Sequence, residues 1–441
     1  MRVHMKFWDR AMVALVLFAC LEPARADLVY SVLDLGTLGG TTSAGNALNQ
    51  DGRVTGAGYT VDDAAQVAFI SGANGAAPLQ NLGTLGGTDS FGQAIDQFAR
   101  VAGSSKTADG FNFNAFLSGA GGGSLMSLGT LGGSSSYALG VNSSGQVTGY
   151  SQIPDNFANH GYISNAGGGM LHDLGTLTGG SFSFASGINA SGQVAGYSGT
   201  DSGFSHAFLS ESNGGTLHDL GTLGGRVSFA AGVNDLGQVT GRSEVASFGQ
   251  HAYRSAPNGG PLLDLGTLGG TSSFGQGINN HGDVVGYSYL GDNSTQHAFF
   301  YSTTTGMIDL NAHLVPGSGW SLTEARAIND RSQITGVGII GGFAHGYLLT
   351  LIETDFRITS ITAVANHHML IKGLGTPSQS YSIEAANDMR SPFVQLATLN
   401  AGADGTLQYE DADAATFPQR YYRFVATHST RPSTRTREIS R

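Results

Sequence analysis

One tetrapeptide, Leu-Gly-Thr-Leu, recurs at a nearly constant period and constrains the fold more than any other feature of the chain. Six clear copies are followed by a seventh, degenerate copy that begins at Leu310. A fixed period of this size is typical of stacked repeat units or of propellers, in which each unit buries its apolar face against the next. The six clear copies begin at Leu35, Leu82, Leu128, Leu174, Leu220 and Leu265, at spacings of 47, 46, 46, 46 and 45 residues.

Each period contains four short segments of strand length. In the fourth period they are residues 183–189, 193–198, 206–210 and 217–223, and Gly, Ser and Asn bound each of them. Four antiparallel strands per period form the blade of a β-propeller. We therefore predict an all-β protein whose main body, residues 27–352, is a seven-bladed β-propeller.

The two ends of this region are complementary. The chain begins with a lone segment of the fourth type, residues 29–38, and the repeats end with a third-type segment, residues 344–351, that lacks a fourth. If these ends pair, the N-terminal strand completes the last blade and no sheet edge is left open. The alternative, an open solenoid, would require distinct capping units at each end, and none is evident in the sequence.

An Asn or Asp begins the turn between the first and second segments of every period. Gly follows three positions later in five periods, as a type I turn followed by a left-handed residue requires. Ala99 and Ser332 replace that Gly, so we expect their turns to be strained or different in shape. Small residues recur two and four positions before the Asn, which predicts that the first strand is the innermost. The seven residues are Asn49, Asp96, Asn142, Asn189, Asn234, Asn279 and Asn329.

Residues 1–26 have the pattern of an export signal. A basic start precedes an apolar run at residues 11–21, and Ala24 and Ala26 form a small-x-small cleavage site. We predict a secreted or cell-surface bacterial protein without stable membrane insertion after cleavage; a retained anchor and a lipoprotein are the alternatives. Cys20, the only cysteine, lies inside the signal, so the mature chain would have neither disulfides nor thiol chemistry.

Beyond the repeats, two further regions are expected. Residues 353–426 contain alternating segments at 381–385 and 421–425, which predict a small β-sandwich. Residues 427–441 are rich in Ser, Thr and Arg, and we predict a disordered tail. The formal net charge of −11, with no basic stripe, argues against nucleic acid as a partner.

The third segments carry a tripeptide that resembles a known family. They read His206-Ala207-Phe208, His251-Ala252-Tyr253 and His297-Ala298-Phe299, with related copies at His160 and His345. The pattern is similar to the HAF-repeat family of extracellular bacterial proteins, over about three quarters of the chain. The resemblance implies export and a β-rich repeat fold, and it implies no catalytic residues. Residues 353–426 are similar to immunoglobulin- or fibronectin-like modules of secreted bacterial proteins.

The recurring His suggests a metal ligand, but copies that stand one per blade should be too far apart to share an ion. We expect each to hydrogen-bond a loop or a neighbouring blade. The chain also lacks an EF-hand loop, a G-x-S-x-G elbow, an H-E-x-x-H helix and a P-loop. The sequence therefore predicts no catalytic residue, no metal ligand and no cofactor, and calcium held by the frequent Asp and Asn of the turns is left as an alternative.

Candidate ligand-binding residues come from the first strand. Five periods begin it with an aromatic residue that either rings the channel mouth or packs between blades. The middle of the strand varies and includes Gln93 and Gln276, which either confer specificity or form a tolerant channel wall. The seventh period departs most, with Trp320, Glu324 and Arg326 as a candidate rim site or simply as drift in the closing blade. The aromatic residues are Phe91, Tyr137, Phe184, Phe229 and Phe274.

Three functions remain open on the sequence. The first is a non-enzymatic binding or scaffold protein that presents one propeller face to a glycan or a surface protein. The second is a propeller enzyme acting on polysaccharide, which would need paired carboxylates near the axis, where Glu324 is the one candidate. The third is structural display at the cell surface. Neither the ligand nor the functional face can be read from the sequence.

Overall fold

The computed structural model describes residues 28–247, 249–352, 357–364, 368–375, 380–388, 391–402 and 405–426. The predicted export signal and the predicted tail, residues 427–441, lie outside the described residues. Two compact bodies are present: the repeat region, Tyr30–Leu351, and a C-terminal module that begins after it. No helix in the described parts of the chain is long and apolar enough to cross a membrane.

The repeat region is built from β-strands numbered here in chain order, and the all-β prediction is confirmed. The first strands are β2 (Gly39–Leu48), β6 (Gly86–Ile95), β10 (Ser136–Val141), β14 (Ser183–Ile188), β18 (Gly224–Val233), β22 (Gly269–Ile278) and β26 (Ser321–Ile328). The second strands are β3 (Val54–Thr60), β7 (Val101–Thr107), β11 (Val147–Gln152), β15 (Val194–Gly199), β19 (Val239–Val245), β23 (Val284–Leu290) and β27 (Ile334–Ile340).

The outer half of each unit is equally regular. The third strands are β4 (Gln66–Ile70), β8 (Phe113–Ser118), β12 (Asn159–Ser164), β16 (Ser205–Ser210), β20 (Gln250–Ser255), β24 (Gln296–Ser302) and β28 (Phe343–Ile352). The fourth strands are β5 (Gln80–Asn81), β9 (Leu125–Ser127), β13 (Leu171–Asp173), β17 (Leu217–Asp219), β21 (Leu262–Asp264) and β25 (Gly306–Asp309), and β1 (Val29–Asp34) precedes them all. Short 3₁₀ turns lie at Val61–Asp63, Ala73–Gly75, Pro154–Asn156, Pro257–Gly259 and Leu310–His313.

Consecutive strands form four-stranded sheets in the order first, second, third, fourth. The units from β18 and β22 join into one eight-stranded sheet through a single parallel pairing of Gln250 with Ser272. The last unit differs in origin, because its sheet runs β26-β27-β28-β1. The N-terminal strand therefore lies beside the last third strand, where Leu35 N donates to Gly346 O at 3.1 Å.

The Leu-Gly-Thr-Leu repeat lies beyond the strand that we expected it to continue. The fourth strand of the fourth unit ends at Asp219, and Gly221 turns the chain with a φ of +69°. The Asp219 carboxylate accepts the Gly221 N–H at 2.7 Å and holds this turn. The prediction of a strand over residues 217–223 was therefore too long, because an Asp followed by a left-handed Gly ends it.

Neighbouring units pack face to face. One buried cluster contains Ile70 and Leu82 of the first unit with Val101 and Phe116 of the second. A cluster of the same kind joins the last unit to the first, with Leu348 packed among Leu48, Val54 and Phe69.

A serine of the first strand adds a polar link at six of the seven junctions, as where Ser183 Oγ accepts the Gly161 N–H at 2.8 Å. At the junction of last and first units, Ser43 Oγ accepts the Gly346 N–H at 3.0 Å.

The recurring turn Asn forms a second set of links, which we call the Asn ladder. Each Asn side chain donates from Nδ2 to the backbone oxygen of the corresponding residue in the next unit. Asp96 cannot donate, and Arg100, ion-paired to it at 2.6 Å, donates instead to Ser143 O at 2.9 Å. The other links, 2.9–3.3 Å long, run from Asn49 to Asp96, Asn142 to Asn189, Asn189 to Asn234, Asn234 to Asn279, Asn279 to Asn329 and Asn329 back to Asn49.

The two turns that lack Gly adopt the same shape as the others. Ala99 and Ser332 have φ values of +58° and +56°, in the left-handed region that their glycine counterparts occupy. A side chain disfavours that region. The prediction of strain is therefore confirmed, and the strain is carried without a change of turn.

The C-terminal module has two three-stranded sheets. One contains β29 (Arg357–Ala363), β30 (Met369–Leu374) and β33 (Thr406–Asp411); the other contains β31 (Ser380–Ala386), β32 (Val394–Asn400) and β34 (Tyr421–Ala426). A 3₁₀ turn lies at Ala414–Thr416. Ile371 and Leu407 from one sheet and Tyr381, Ile383 and Phe424 from the other form its buried core.

Candidate functional site

The first strands line a central cavity of about 750 Å³. All seven of them contribute to its wall, together with a few residues of the second strands. This agrees with the expectation that the first strand is the innermost. Small residues there allow the close approach: a Cβ added at Gly187 would lie 3.3 Å from the Cα of Gly232 in the neighbouring unit.

The variable residue of each first strand sits at a β-bulge. In the fourth unit, Ala185 pairs with Gly196 and Gly187 with Ala195, so Ser186 has no partner. The same break occurs in every unit, and every unpaired residue lines the cavity. A bulge aims one side chain away from the ladder. The seven bulge residues are Asn46, Gln93, Leu139, Ser186, Ala231, Gln276 and Arg326.

The bulge also explains a recurring glycine of the second strand. A Cβ added at Gly196 would overlap the carbonyl oxygen of Phe184, the residue two positions before the bulge. The corresponding overlap occurs in the other units, for example between Gly241 and Phe229. The bulge presses the first-strand backbone onto its neighbour, and only Gly leaves room for it.

Glu324 and Arg326 form an ion pair on the cavity wall. Arg326 donates from Nε and Nη2 to one carboxylate oxygen of Glu324, at 2.9 and 2.7 Å. Its Nη1 donates to Asn46 Oδ1 at 2.6 Å, across the junction of the last and first units. Gln296 Nε2 donates to the other Glu324 oxygen at 3.2 Å. Glu324 is the only carboxylate among the lining residues, and its charge is matched by Arg326.

Trp320 lies apart from this pair. It packs edge-on against Tyr347, with ring centroids 6.0 Å apart, and it is not among the residues that line the cavity. The structure thus brings Glu324 and Arg326 together and places Trp320 against the third strand of its own unit.

The five first-strand aromatic residues belong to a belt of stacked side chains. Tyr137, for example, lies 4.8 Å from Tyr150, and Phe184 lies 5.0 Å from Tyr197. Phe229 and Phe274 line the cavity, whereas Phe91, Tyr137 and Phe184 are half-buried in the belt and do not line it. All five aromatic residues therefore pack in the belt, and two of them are also exposed to the cavity.

Sequence reasoning missed the second-strand half of the belt. Tyr150, Tyr197, Arg242 and Tyr287 each follow the recurring glycine of their strand, and three of them line the cavity. In the fourth unit the register pairs Phe184 with Tyr197. The signal was present in the sequence as a large side chain directly after that glycine in four consecutive units.

Arg242 interrupts the belt as a stacked cation. Its guanidinium lies 4.5 Å from the ring centre of Phe229 and 5.3 Å from that of Phe274. Its Nε is buried without a hydrogen-bond acceptor, and within the described residues no carboxylate forms an ion pair with it.

Burial raises the pKa of Tyr197, against the opposing effect of Arg242. Burial, assisted by Glu324, raises the pKa of Tyr287. Burial, with the neighbouring Tyr137 and Tyr197, raises the pKa of Tyr150 to about 12. These phenols therefore stay neutral at physiological pH, and Arg242, Glu324 and Arg326 carry the charge of the cavity wall.

The recurring His residues lie away from the cavity and pair within their own sheets. Each His contacts an Asp at the end of the fourth strand, so the expected bond to a loop or neighbouring blade was wrong. The pair His345 and Asp34 unites the two ends of the repeat region at 3.0 Å. Within the described residues, no three His, Cys, Asp or Glu side chains are grouped as metal ligands. The other pairs are His160 with Asp173, His206 with Asp219, His251 with Asp264 and His297 with Asp309.

No protein-family model matches the chain, and no curated protein sequence matches it. Several solved structures align with the chain. TolB from Acinetobacter baumannii aligns with 58% of this chain and 62% of its own, at 12% identity and a TM-score of 0.42. A prolyl endopeptidase aligns with 78% of this chain and 56% of its own, at 9% identity and a TM-score of 0.45. A Trypanosoma rangeli sialidase aligns with 91% of this chain and 83% of its own, at 10% identity and a TM-score of 0.32.

The chain thus spans less than two thirds of the TolB and prolyl endopeptidase chains. Identities and TM-scores this low say nothing about function.

Proposed function

We propose that the repeat region is a closed seven-bladed β-propeller whose last blade is completed by the N-terminal strand. Three kinds of junction support closure, since each recurs between the last and first units. They are the buried cluster around Leu348, the Ser43 bond to Gly346, and the Asn ladder link from Asn329 to Asn49. We propose further that the C-terminal module is a β-sandwich.

We propose that this protein is a secreted, non-enzymatic binding protein that holds a glycan or protein segment at the central cavity. The observation that carries the proposal is the ring of bulge residues. Every unit repeats the same scaffold and frees one side chain from strand pairing, and these side chains differ from unit to unit. A constant frame with a variable, inward-facing residue is how a repeat protein builds one asymmetric site.

The cavity wall does not favour the enzymatic alternative. Hydrolysis of a glycosidic bond by the usual route needs two carboxyl groups on either side of the bond. Among the described lining residues Glu324 alone is acidic, and Arg326 neutralises it through two hydrogen bonds. Export, membership of the HAF-repeat family and a spacer role for the C-terminal module remain part of the proposal.

The test is a binding and hydrolysis screen of the full chain against soluble polysaccharides, oligosaccharides and peptides. Gln93 and Gln276 are lining residues that make no side-chain hydrogen bond within the described residues. We expect the Gln93→Ala/Gln276→Ala variant to lose binding about tenfold or more while melting as the parent does. Gln97→Ala, at an exposed turn position, is the matched control and should bind normally. Turnover of any polysaccharide would overturn the non-enzymatic function.

A further inference from the structure

The wall of the central cavity has an excess positive charge although the whole chain is acidic. The charged lining residues are Arg242, Glu324 and Arg326. Glu324 and Arg326 cancel each other, and Arg242 is left without an acidic partner in the described part of the chain. A chain with a formal net charge of −11 has thus kept an uncompensated cation on the wall of its central cavity.

The surroundings of Arg242 restrict how it can bind a ligand. Phe229 and Phe274 cover it at 4.5 and 5.3 Å from their ring centres. A guanidinium stacked on rings keeps its hydrogen-bond donors in its own plane. Donors in that plane suit a carboxylate, which accepts two parallel N–H bonds from an arginine. The rings also fix the side chain, so less entropy is lost when a ligand binds.

The buried Nε of Arg242 supports the same reading. A buried donor without an acceptor is costly, and natural proteins seldom keep one without a reason. The neighbouring Tyr197 and Tyr287 supply no counter-charge, because a phenol ionises only near pH 10 and burial raises the pKa of both further. An anion against the guanidinium would supply it.

We propose, on the basis of the binding function proposed above, that the ligand is an acidic saccharide whose carboxylate is held by Arg242. The excess of one positive charge matches a single carboxylate, as in a uronic acid. Gln93, Ser186 and Gln276 line the same cavity with amide and hydroxyl groups, which pair with sugar hydroxyls. The bulge residues therefore select the sugar, and the stacked arginine selects its charge.

The test compares trigalacturonate with its neutral counterpart galactotriose, and polyglucuronate with a neutral glucan, by calorimetric titration of the full chain. We expect at least tenfold tighter binding of the acidic member of a pair. We also expect that affinity to fall as salt is added. This comparison needs no variant and therefore does not depend on how a substitution folds.

Variants then locate the charge. Arg242→Gln should lose at least tenfold in affinity for the acidic saccharide, so that the preference for the acidic over the neutral saccharide is largely abolished. Arg226→Gln is the matched control, because Arg226 also lies over a ring, Phe204 at 5.5 Å, but is exposed and does not line the cavity. It should bind as the parent chain does.

The outcomes separate this inference from the function on which it rests. Equal binding of acidic and neutral saccharides, with Arg242→Gln unaffected, would overturn the inference and leave the binding function standing. Binding of acidic peptides such as oligoglutamate, without saccharide binding, would also overturn it. Loss of saccharide binding in Gln93→Ala/Gln276→Ala but not in Arg242→Gln would place the ligand in the cavity and reject the carboxylate contact. No binding of any probe would reject both.

Discussion

The Asn ladder offers a direct test of ring closure at Asn329. Its Nδ2 donates to Asn49 O at 3.0 Å and to Gln333 Oε1 at 2.9 Å, and its Oδ1 accepts the N–H groups of Arg331 and Gln333, both at 3.0 Å. Asn329→Asp keeps the two acceptor bonds and removes both donor bonds. The Gln333 amide can turn over to face the new carboxylate. The Asn49 carbonyl keeps the Gly52 N–H as a donor at 3.0 Å, but it loses its second donor and faces a carboxylate oxygen instead.

Losing this hydrogen bond and placing a buried carboxylate oxygen against a carbonyl oxygen costs about 1–3 kcal/mol, and we expect Asn329→Asp to lower the free energy of unfolding by that amount. The second unit contains the natural remedy, since Asp96 there is accompanied by Arg100 four residues later. Gln333 occupies the position that corresponds to Arg100. Asn329→Asp/Gln333→Arg should therefore recover at least half of the loss, because the guanidinium can bind the carboxylate and reach the first unit.

Equilibrium unfolding in urea, followed by circular dichroism, measures Asn329→Asp, Gln333→Arg and the double variant, and the double-mutant cycle should give a favourable coupling of about 1–3 kcal/mol. The reverse exchange, Asp96→Asn/Arg100→Gln, converts the second unit to the common pattern and should stay close to the parent. If Asn329→Asp unfolded at the parent's urea concentration, the link between the last and first units would contribute nothing and closure through this ladder would be refuted. Strictly additive effects of Asn329→Asp and Gln333→Arg on the free energy of unfolding would show that the second substitution does not compensate for the first.

Three further outcomes follow from the same structure. Tyr30→Ala should lower the free energy of unfolding by about 3–5 kcal/mol, because the ring is fully buried in the N-terminal strand. Tyr30→Phe should be neutral or stabilising, because the Tyr30 hydroxyl is buried without a hydrogen-bond partner. Thermal melts of both variants and the parent measure this. Ser332→Gly should stabilise by about 0.5–1 kcal/mol by relieving the left-handed backbone, and an equal or lower melting temperature would contradict the strain. The contribution of the buried tyrosines to stability should be constant up to about pH 10 and fall above it, because the unfolded chain ionises its tyrosines first. Urea midpoints measured from about pH 8 upward check this, and a flat profile above pH 10 would show that the buried phenols have ordinary pKa values. Burial raises the pKa of the phenols concerned, those of Tyr162, Tyr253 and Tyr347.

The sequence predicts the strand order of the repeat region well because the same local pattern of residues recurs in every unit. Period, strand order and the Asn turn are all visible as recurring residues, and the lone segment at each end indicates where the chain would close. The spacing of the recurring His and Asp residues is a further feature of the sequence that the prediction of closure did not use. Each of the four His residues from His160 to His297 is followed by an Asp 12 or 13 positions later, while the Asp partner of His345 stands at position 34. The wide separation of His345 and Asp34 in the sequence alone predicts that the N-terminal strand β1 joins the last unit.

The candidate site was harder to predict because its geometry depends on an interruption of the ladder. In a regular strand, alternate residues share a face, so an aromatic residue and the variable residue two positions later should point the same way. The bulge breaks that alternation: Ser186 turns to the cavity while Phe184 stays in the belt. Register of this kind depends on the partner strand, and a single strand's sequence does not contain it.

The bulge also resolves a conflict between symmetry and specificity. A residue inside the ladder must fit its partners in the neighbouring strands, so it is held to Gly or Ala where the backbones approach. A bulge residue has no ladder partner and can change without disturbing the sheet. The seventh unit differs most from the others at this position. Arg326 hydrogen-bonds to Asn46 of the first unit and to Glu324 of its own unit. The flanking pairs Ala325–Gly336 and Ala327–Thr335 are nevertheless formed. The junction of the last and first units is therefore also where the cavity wall departs furthest from the repeated pattern.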